Sequence, residues 1–184
     1  MSGALPTAGV LDVRHLAKAF GGIRAVDDVT FAVGAGELVA LIGPNGAGKS
    51  TCFNLVNGQL APDSGEVRFE GKRIDGLAAH AVARRGVGRT FQVAATFASM
   101  TVRENVALAL LAHARRSGNP VALASAVPRA ATSVILERVG CAPLAEAHCA
   151  TLAYGDAKRV VLALAIAAHP RLLLMDDLTA GMAP

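Results

Sequence analysis

The sequence has no apolar stretch long enough to cross a membrane, although its composition is strongly apolar. Hydrophobic residues make up 53% of the 184 residues. Yet the longest stretches without Asp, Glu, Lys or Arg, residues 50–62 and 90–102, fall short of the roughly 18 to 20 residues that a spanning helix needs. The N-terminus also lacks the basic segment and apolar core of a signal peptide. We therefore expect a cytoplasmic protein.

Cysteine is scarce, and its placement argues against a metal site and against a disulfide framework. Cys52, Cys141 and Cys149 have neither C-x-x-C spacing nor a histidine at the spacing of a zinc site. We expect buried, reduced thiols. Positively charged residues are likewise not clustered. The two arginine pairs, at 84–85 and 115–116, are far apart in the sequence and have no aromatic residues interleaved with them. The net charge of +4 therefore does not predict a nucleic-acid partner.

One segment carries a complete phosphate-binding pattern. Residues 43–51 read G-P-N-G-A-G-K-S-T, and they follow residues 37–42, which we predict as a buried strand. The glycines let the backbone N–H groups point at phosphate oxygens, and a helix predicted over residues 50–56 adds its positive end. We predict that Lys49 contacts the β and γ phosphates of a nucleoside triphosphate and that Ser50 binds Mg²⁺. The predicted phosphate-binding residues are Gly43, Asn45, Gly46, Ala47, Gly48, Lys49, Ser50 and Thr51.

Hydrophobic periodicity predicts both strands and helices around this loop. Glycine-bounded or alternating strands are predicted at residues 10–13, 28–33 and 65–71, helices at 77–85, 102–115, 129–139 and 156–168, and a linker at 117–128.

An apolar run at residues 172–175 ends in two acids, Asp176 and Asp177. A run of this kind is typical of a buried parallel strand, and ligands bind at the carboxyl ends of such strands. We predict that Asp176 binds Mg²⁺ or its water, and that Asp177 polarises the attacking water.

These motifs and their order resemble the ATP-binding subunits of ABC transporters, over residues 11–184. The resemblance implies an α/β fold of the P-loop NTPase type, with a mostly parallel core sheet, an antiparallel β subdomain and a helical subdomain. It divides the chain into a nucleotide-binding core with the β subdomain (1–91), a helical subdomain (92–155), and the signature helix with the acidic strand end of a truncated core (156–184).

The resemblance also implies further site residues. Phe20, in K-A-F-G-G, is similar to the aromatic residue that stacks on adenine. Gln92, in R-T-F-Q, resembles the glutamine of the glutamine loop, which touches the metal and connects the site to the membrane subunits. Residues 152–156, L-A-Y-G-D, resemble the signature L-S-G-G-Q. Three of them, Ala153, Tyr154 and Gly155, are thereby expected to cap the triphosphate of a partner subunit in a head-to-tail dimer.

The L-A-Y-G form, the R-T-F-Q loop and T-A-G-M at 179–182 look most like the branch that serves branched-chain amino acid importers. Related branches for other amides and for lipopolysaccharide export share parts of this pattern. The implied cofactors are ATP and Mg²⁺. The implied partners are membrane-spanning permease subunits and a second ATP-binding subunit, at the inner face of the cell membrane.

The chain departs from the family pattern at several positions. Asp177 stands where the family has Glu, and Leu178 replaces a proline. Asp156 replaces the signature glutamine, while Val161 and Leu164 stand where Glu and Arg are usual. Family members also carry a switch histidine beyond the acidic strand end, whereas all five histidines here precede it. A truncated chain is therefore expected.

Three functions remain open from the sequence. The first is a working motor of an importer, with Lys49, Gln92 and Asp177 as catalytic residues. The second is a nucleotide-binding module without efficient turnover, which the departures would explain. The third is an ABC ATPase that acts on nucleic acid or ribosomes, suggested only by the isoelectric point near 9.3. A GTPase is disfavoured because the sequence has no N-K-x-D motif.

Overall fold

The computed structural model describes residues 9–90, 96–113 and 127–175. The chain divides into two compact units, Met1–Val87 and Gly88–Pro184. Among the described residues, no helix combines the length and the apolarity that crossing a membrane requires.

The first unit contains a four-stranded antiparallel sheet in the order β2-β1-β3-β4. Its strands are β1 (Leu11–Phe20), β2 (Ile23–Val33), β3 (Ser64–Phe69) and β4 (Lys72–Arg73). Gly21 and Gly22 connect β1 to β2, and both have positive φ, which a tight turn between antiparallel strands favours. The strands predicted at 10–13, 28–33 and 65–71 are confirmed, and the first two extend further than predicted. The buried side chains of this sheet are Leu11, Val13, Leu16, Val26, Val33, Val67 and Phe69.

Two helices belong to the same unit: α1 (Lys49–Val56) and α2 (Ala79–Arg84). Helix α1 buries Cys52, Leu55 and Val56 on one face. It ends at Asn57, and Gly58 follows with φ 76°, the left-handed geometry that commonly closes a helix. The helix predicted at 50–56 is thus confirmed, and the one predicted at 77–85 is confirmed in a shorter form.

The prediction of a buried strand at residues 37–42 is wrong. Leu38 is 84% exposed and Ile42 is 90% exposed, and residues 37–42 belong to no β-strand. A strand forms only where a neighbouring strand takes up its N–H and C=O groups. Within the described residues, β1 to β4 pair with one another, and two short strands further along the chain, Val87–Arg89 and Leu172–Leu174, pair with each other, so none of them pairs with this segment. An apolar run therefore did not suffice to make a strand here.

The second unit is mainly helical. It contains α3 (Val102–His113), α4 (Arg129–Arg138) and α5 (Tyr154–Ala167), with single 3₁₀ turns at Ala142–Leu144 and Cys149–Thr151. The helices predicted at 129–139 and 156–168 are confirmed, with α5 starting two residues early, and the helix predicted at 102–115 is confirmed as far as residue 113, beyond which it lies outside the described residues. Their shared core consists of Val102, Val106, Ile135, Leu136, Val139, Cys141, Ala145, Cys149, Val160, Ala163 and Ala167.

Two short strands, β5 (Val87–Arg89) and β6 (Leu172–Leu174), form a separate two-stranded sheet. The amide of Thr90 donates to the carbonyl of Leu174 (3.0 Å) and extends the pairing beyond β5. Strand β6 confirms the predicted apolar strand at 172–175. The predicted linker at 117–128 lies almost wholly outside the described residues.

The three cysteines are buried and unpaired, as expected. Burial raises the pKa of the Cys52 thiol to about 11 and also raises those of Cys141 and Cys149. The described residues contain no group of His, Cys, Asp and Glu side chains placed to hold a metal ion.

Candidate functional site

The phosphate loop has a backbone path that favours glycine at two positions near its centre. Gly46 and Gly48 have φ values of 83° and 84°. A Cβ atom on Gly48 would lie 1.9 Å from the carbonyl oxygen of Ala25 in β2. Both the dihedral angle and the close approach therefore exclude a side chain at Gly48. The loop then runs directly into α1, where the amide of Cys52 donates to the carbonyl of Gly48 (2.8 Å).

Lys49 has its ammonium group over the loop. Its Nζ donates to the carbonyl oxygens of Gly43 (2.7 Å) and Pro44 (2.8 Å). Both acceptors are neutral, and no acidic side chain of the described residues pairs with Lys49. The positive charge is therefore available to an anion, for which an ammonium group is a stronger partner than for a carbonyl.

The start of α1 leaves its backbone donors for the same anion. Gly48 occupies the N-cap position and supplies no side-chain hydrogen bond, and the first turn contains no acidic residue. The first N–H groups of a helix have no intrahelical partner and attract negative charge. Ser50 lies exposed in this turn. The donors of the loop thus fit a phosphate group, and the Ser50 oxygen is of the type that Mg²⁺ prefers.

Phe20 ends β1 and is 47% exposed, which suits a side chain that stacks on a base. Lys18 lies 5.7 Å from the centroid of its ring. The Lys18 ammonium is held by Asp63 at 2.6 Å, and Asp63 also accepts a hydrogen bond from the amide of Ala19 (2.8 Å). Both contacts hold the pKa of the Asp63 carboxyl below its ordinary value, Lys18 having the larger effect. We call these contacts of Asp63 with Lys18 and Ala19 the Asp63 brace. The sequence analysis did not predict it, although the P-D-S-G turn at 62–65 indicated that Asp63 is a turn residue.

A cavity of about 370 Å³ lies beside this brace, lined in part by His15, Lys18, Arg24 and Asp63. Its polar side chains pair with one another: His15 with Asp28 (2.7 Å), and Arg24 with Asp27 (2.9 Å). It contains no residue of the phosphate loop, and we assign no ligand to it.

The signature residues form the beginning of α5. Ala153 is the N-cap residue, in extended conformation and without a side-chain hydrogen bond, and the helix starts at Tyr154. Tyr154 is 61% exposed, and the Lys158 ammonium lies 4.7 Å from its ring centroid. A Cβ atom on Gly155 would meet nothing within 4 Å. The helix start is therefore open, as a segment that contacts an external phosphate has to be.

Asp156 does not bring an unpaired negative charge to this helix start. Its carboxylate is bonded to the guanidinium of Arg159, which also donates to the carbonyl of Gly140 (3.1 Å). The hydrogen bond to Asp156 is the main reason why the pKa of Arg159 is raised. Arg159 therefore neutralises the acid that replaces the signature glutamine. Its second hydrogen bond connects the first turn of α5 to Gly140, which lies just after the end of α4. Leu164, another departure, packs against the core of the second unit.

The remaining predicted site residues, Gln92, Asp176 and Asp177, lie outside the described residues. Their roles stay predictions. The phosphate-loop residues and Phe20 belong to the first unit, and Ala153, Tyr154 and Gly155 belong to the second.

Comparison with known proteins gives a consistent family. A family model described as ABC transporter matches residues 26–180. The chain is 38% identical to BraF of Pseudomonas aeruginosa and to LivG of Escherichia coli, both named as high-affinity branched-chain amino acid transport ATP-binding proteins, over 95% of this chain and 71% of each relative. It is 42% identical to the sulfate/thiosulfate import ATP-binding protein CysA of Bradyrhizobium diazoefficiens, over 91% of this chain and 46% of that protein.

Solved structures agree with this similarity. The structure of MJ1267, an ATP-binding cassette of an ABC transporter, superposes with a TM-score of 0.80 at 31% identity and covers 97% of this chain and 72% of its own. CbiO1 of Clostridium perfringens, part of the transporter complex cbiONQ, gives a TM-score of 0.78 at 28% identity, with 96% and 68% of the two chains covered.

Proposed function

Because the chain belongs to the ABC transporter family, as an ATP-binding subunit with the ABC ATPase fold, we propose that it hydrolyses ATP to power the import of branched-chain amino acids. The observation that carries the proposal is the intact phosphate loop, in which Lys49 donates to the neutral carbonyl oxygens of Gly43 and Pro44 and, within the part of the chain that the structure describes, to no acidic side chain. The names of BraF and LivG support the substrate class.

The phosphate loop performs the binding step. When a triphosphate enters, the ammonium of Lys49 leaves the carbonyls of Gly43 and Pro44 for the β and γ phosphates, since charged acceptors bind it more strongly. The N–H groups at the start of α1 hold the same oxygens. Phe20 stacks on the adenine. Ser50, with Gln92 and Asp176, would hold Mg²⁺, and the metal would offset the charge that develops on the transferred phosphoryl group.

Asp177 orients the attacking water in this proposal. Its side chain is one methylene shorter than the glutamate usual in the family, and a misplacement of about 1 Å in a catalytic group costs on the order of 100-fold in rate. We therefore expect turnover to be slower than in a glutamate-containing relative.

The partners follow from the family. ATP-binding subunits of ABC transporters work with membrane permease components. We propose that two ATP-binding subunits associate head to tail at the inner face of the membrane. In that dimer, Ala153, Tyr154 and Gly155 of one subunit contact the triphosphate that the phosphate loop of the other subunit holds.

The experiment is an uptake assay in cells that express this chain with its permease and binding components. Wild-type protein should support uptake of radiolabelled leucine, isoleucine or valine. Lys49→Ala should abolish it, because the phosphates lose their cationic partner. Lys72→Ala removes an exposed lysine from β4 and is the matched control. Equal uptake with Lys49→Ala and wild type would refute the proposal, and uptake of another solute alone would refute the substrate class.

A further inference from the structure

Asn105, in the first turn of α3, is a buried polar residue whose side chain is fully used. It is 2% exposed. Its Oδ1 accepts a hydrogen bond from the amide of Phe97 (2.8 Å). Its Nδ2 donates to the carbonyls of Phe97 (3.1 Å) and Thr101 (2.9 Å). One side chain thus fixes the whole turn that leads into α3.

The same amide group reaches a second segment. Nδ2 of Asn105 lies 3.2 Å from Sγ of Cys149, a residue 44 positions further along the chain. Backbone hydrogen bonds run beside this contact: the amide of Cys149 donates to Met100 (3.0 Å), and the amide of Ala150 donates to Ala98 (3.1 Å). Residues 97–101 and 148–150 are therefore one hydrogen-bonded body, with Asn105 at its centre. We call this body the Asn105 clamp.

The start of α3 reinforces the clamp. The amide of Thr101 donates to the Glu104 carboxylate (2.8 Å), and the amide of Glu104 donates to the Thr101 hydroxyl (3.2 Å). This reciprocal pair is a capping box, which fixes the first turn of a helix. The clamp is thereby attached to a rigid element at one end.

The other end of the clamp leads directly into the signature segment. Cys149–Thr151 form a 3₁₀ turn, and the signature residues 152–156 follow without a break. A side-chain amide in an apolar core holds its partners firmly, because each partner left without it would be a buried, unsatisfied group. The orientation of the α5 start therefore depends on Asn105.

We propose that Asn105 is a positioning residue that holds the signature helix in register with the start of α3, so that its first N–H groups reach the triphosphate of the partner subunit. This inference rests on the proposed function. Asn105 contacts no nucleotide in it and acts through Cys149 and the backbone of residues 148–150.

Asn105→Asp tests the proposal with a nearly isosteric change. It keeps an acceptor for the amide of Phe97 and removes the donor to the carbonyls of Phe97 and Thr101 and to Sγ of Cys149. We expect the amides of Cys149 and Ala150 to exchange hydrogen at least about tenfold faster, together with those of residues 97–101. ATP affinity should stay within about twofold, because the phosphate loop belongs to the other unit, while turnover falls on the order of 10- to 100-fold.

Asn57→Asp is the control, because it makes the same change at a buried asparagine of the first unit. It should leave hydrogen exchange at residues 97–101 and 148–150 unchanged.

Two outcomes would overturn the inference: faster exchange confined to residues 97–101, or turnover equal to that of the wild type. If the wild type itself fails to hydrolyse ATP, the proposed function fails, whereas the exchange data still decide whether the clamp exists. Should Asn105→Asp not fold, Cys149→Ala removes the sulfur that Asn105 and the Thr96 side chain both contact. It should speed exchange at Ala150, and Cys149→Ser should restore protection. Unchanged exchange in Cys149→Ala would then overturn the inference.

Discussion

The phosphate loop and the signature segment are held in place by different means. Glycine backbone geometry shapes the loop, and Lys49 donates there to the carbonyl oxygens of Gly43 and Pro44. Side chains brace the signature segment: Arg159 pairs with Asp156, and Asn105 reaches Cys149. Among the residues that the structure describes, the cation expected to act on a phosphate has no acidic partner, whereas the charges at the start of α5 are paired.

The largest expected effect is at Gly48. Gly48→Ala places a methyl group against the Ala25 carbonyl and forces an unfavourable φ. We expect ATP affinity to fall by about 3 kcal/mol, or roughly 100-fold, in a nucleotide titration. Gly46→Ala is the matched comparison, because φ is equally positive but a Cβ would meet nothing within 4 Å. It should cost about 1 kcal/mol, or roughly fivefold. Equal losses in the two variants would contradict the role of the close approach to β2.

The second effect is a loss of folding stability at high pH, caused by the buried Cys52 thiol of α1. Burial raises the pKa of Cys52 on α1 to about 11, from an ordinary value of 9.0. Because the folded state keeps the thiol protonated, stability is fully present below pH 9 and falls as pH rises towards 11. The loss should be roughly 2 to 3 kcal/mol, measured by urea unfolding at a series of pH values.

Cys52→Ala is the control for this effect. This variant should be less stable than the wild type at neutral pH because of the cavity it creates. Its loss of unfolding free energy between pH 9 and 11 should be smaller than that of the wild type by roughly 2 to 3 kcal/mol. An identical pH dependence in the variant and the wild type would show that the Cys52 thiol does not titrate in this way.

The smallest effect concerns the charge pair of the signature helix. Arg159→Gln leaves the Asp156 carboxylate without its partner beside the site where the partner subunit's phosphates are expected. Because both side chains are partly exposed, we expect roughly a fivefold loss of turnover, shrinking at high salt. The double variant Asp156→Gln with Arg159→Gln should recover most of the loss. A double variant as slow as Arg159→Gln alone would assign the effect to the bond between Arg159 and Gly140.

Local patterns carried most of what the sequence predicted correctly. The phosphate loop, the end of α1 at Asn57 and Gly58, and the helices of the second unit depend on residues close together in the chain. The strand at 37–42 failed because a strand depends on a distant neighbour for its hydrogen bonds. The contact between Asn105 and Cys149 was hidden for the same reason, since 44 residues separate them. The ion pair between Asp156 and Arg159 could have been predicted, because residues three apart on a helix are neighbours, but the sequence analysis did not recognise it.

The most direct test of the central claim is phosphate release from Mg-ATP by the purified chain, with Lys49→Ala as the blank and ATP binding titrated in parallel. We predict release above the blank in the wild type, together with loss of both binding and release in Lys49→Ala. ATP binding without release would contradict the claim that this chain is a working motor and would leave it a nucleotide-binding module. Equal release by wild type and Lys49→Ala would contradict the role of the phosphate loop itself.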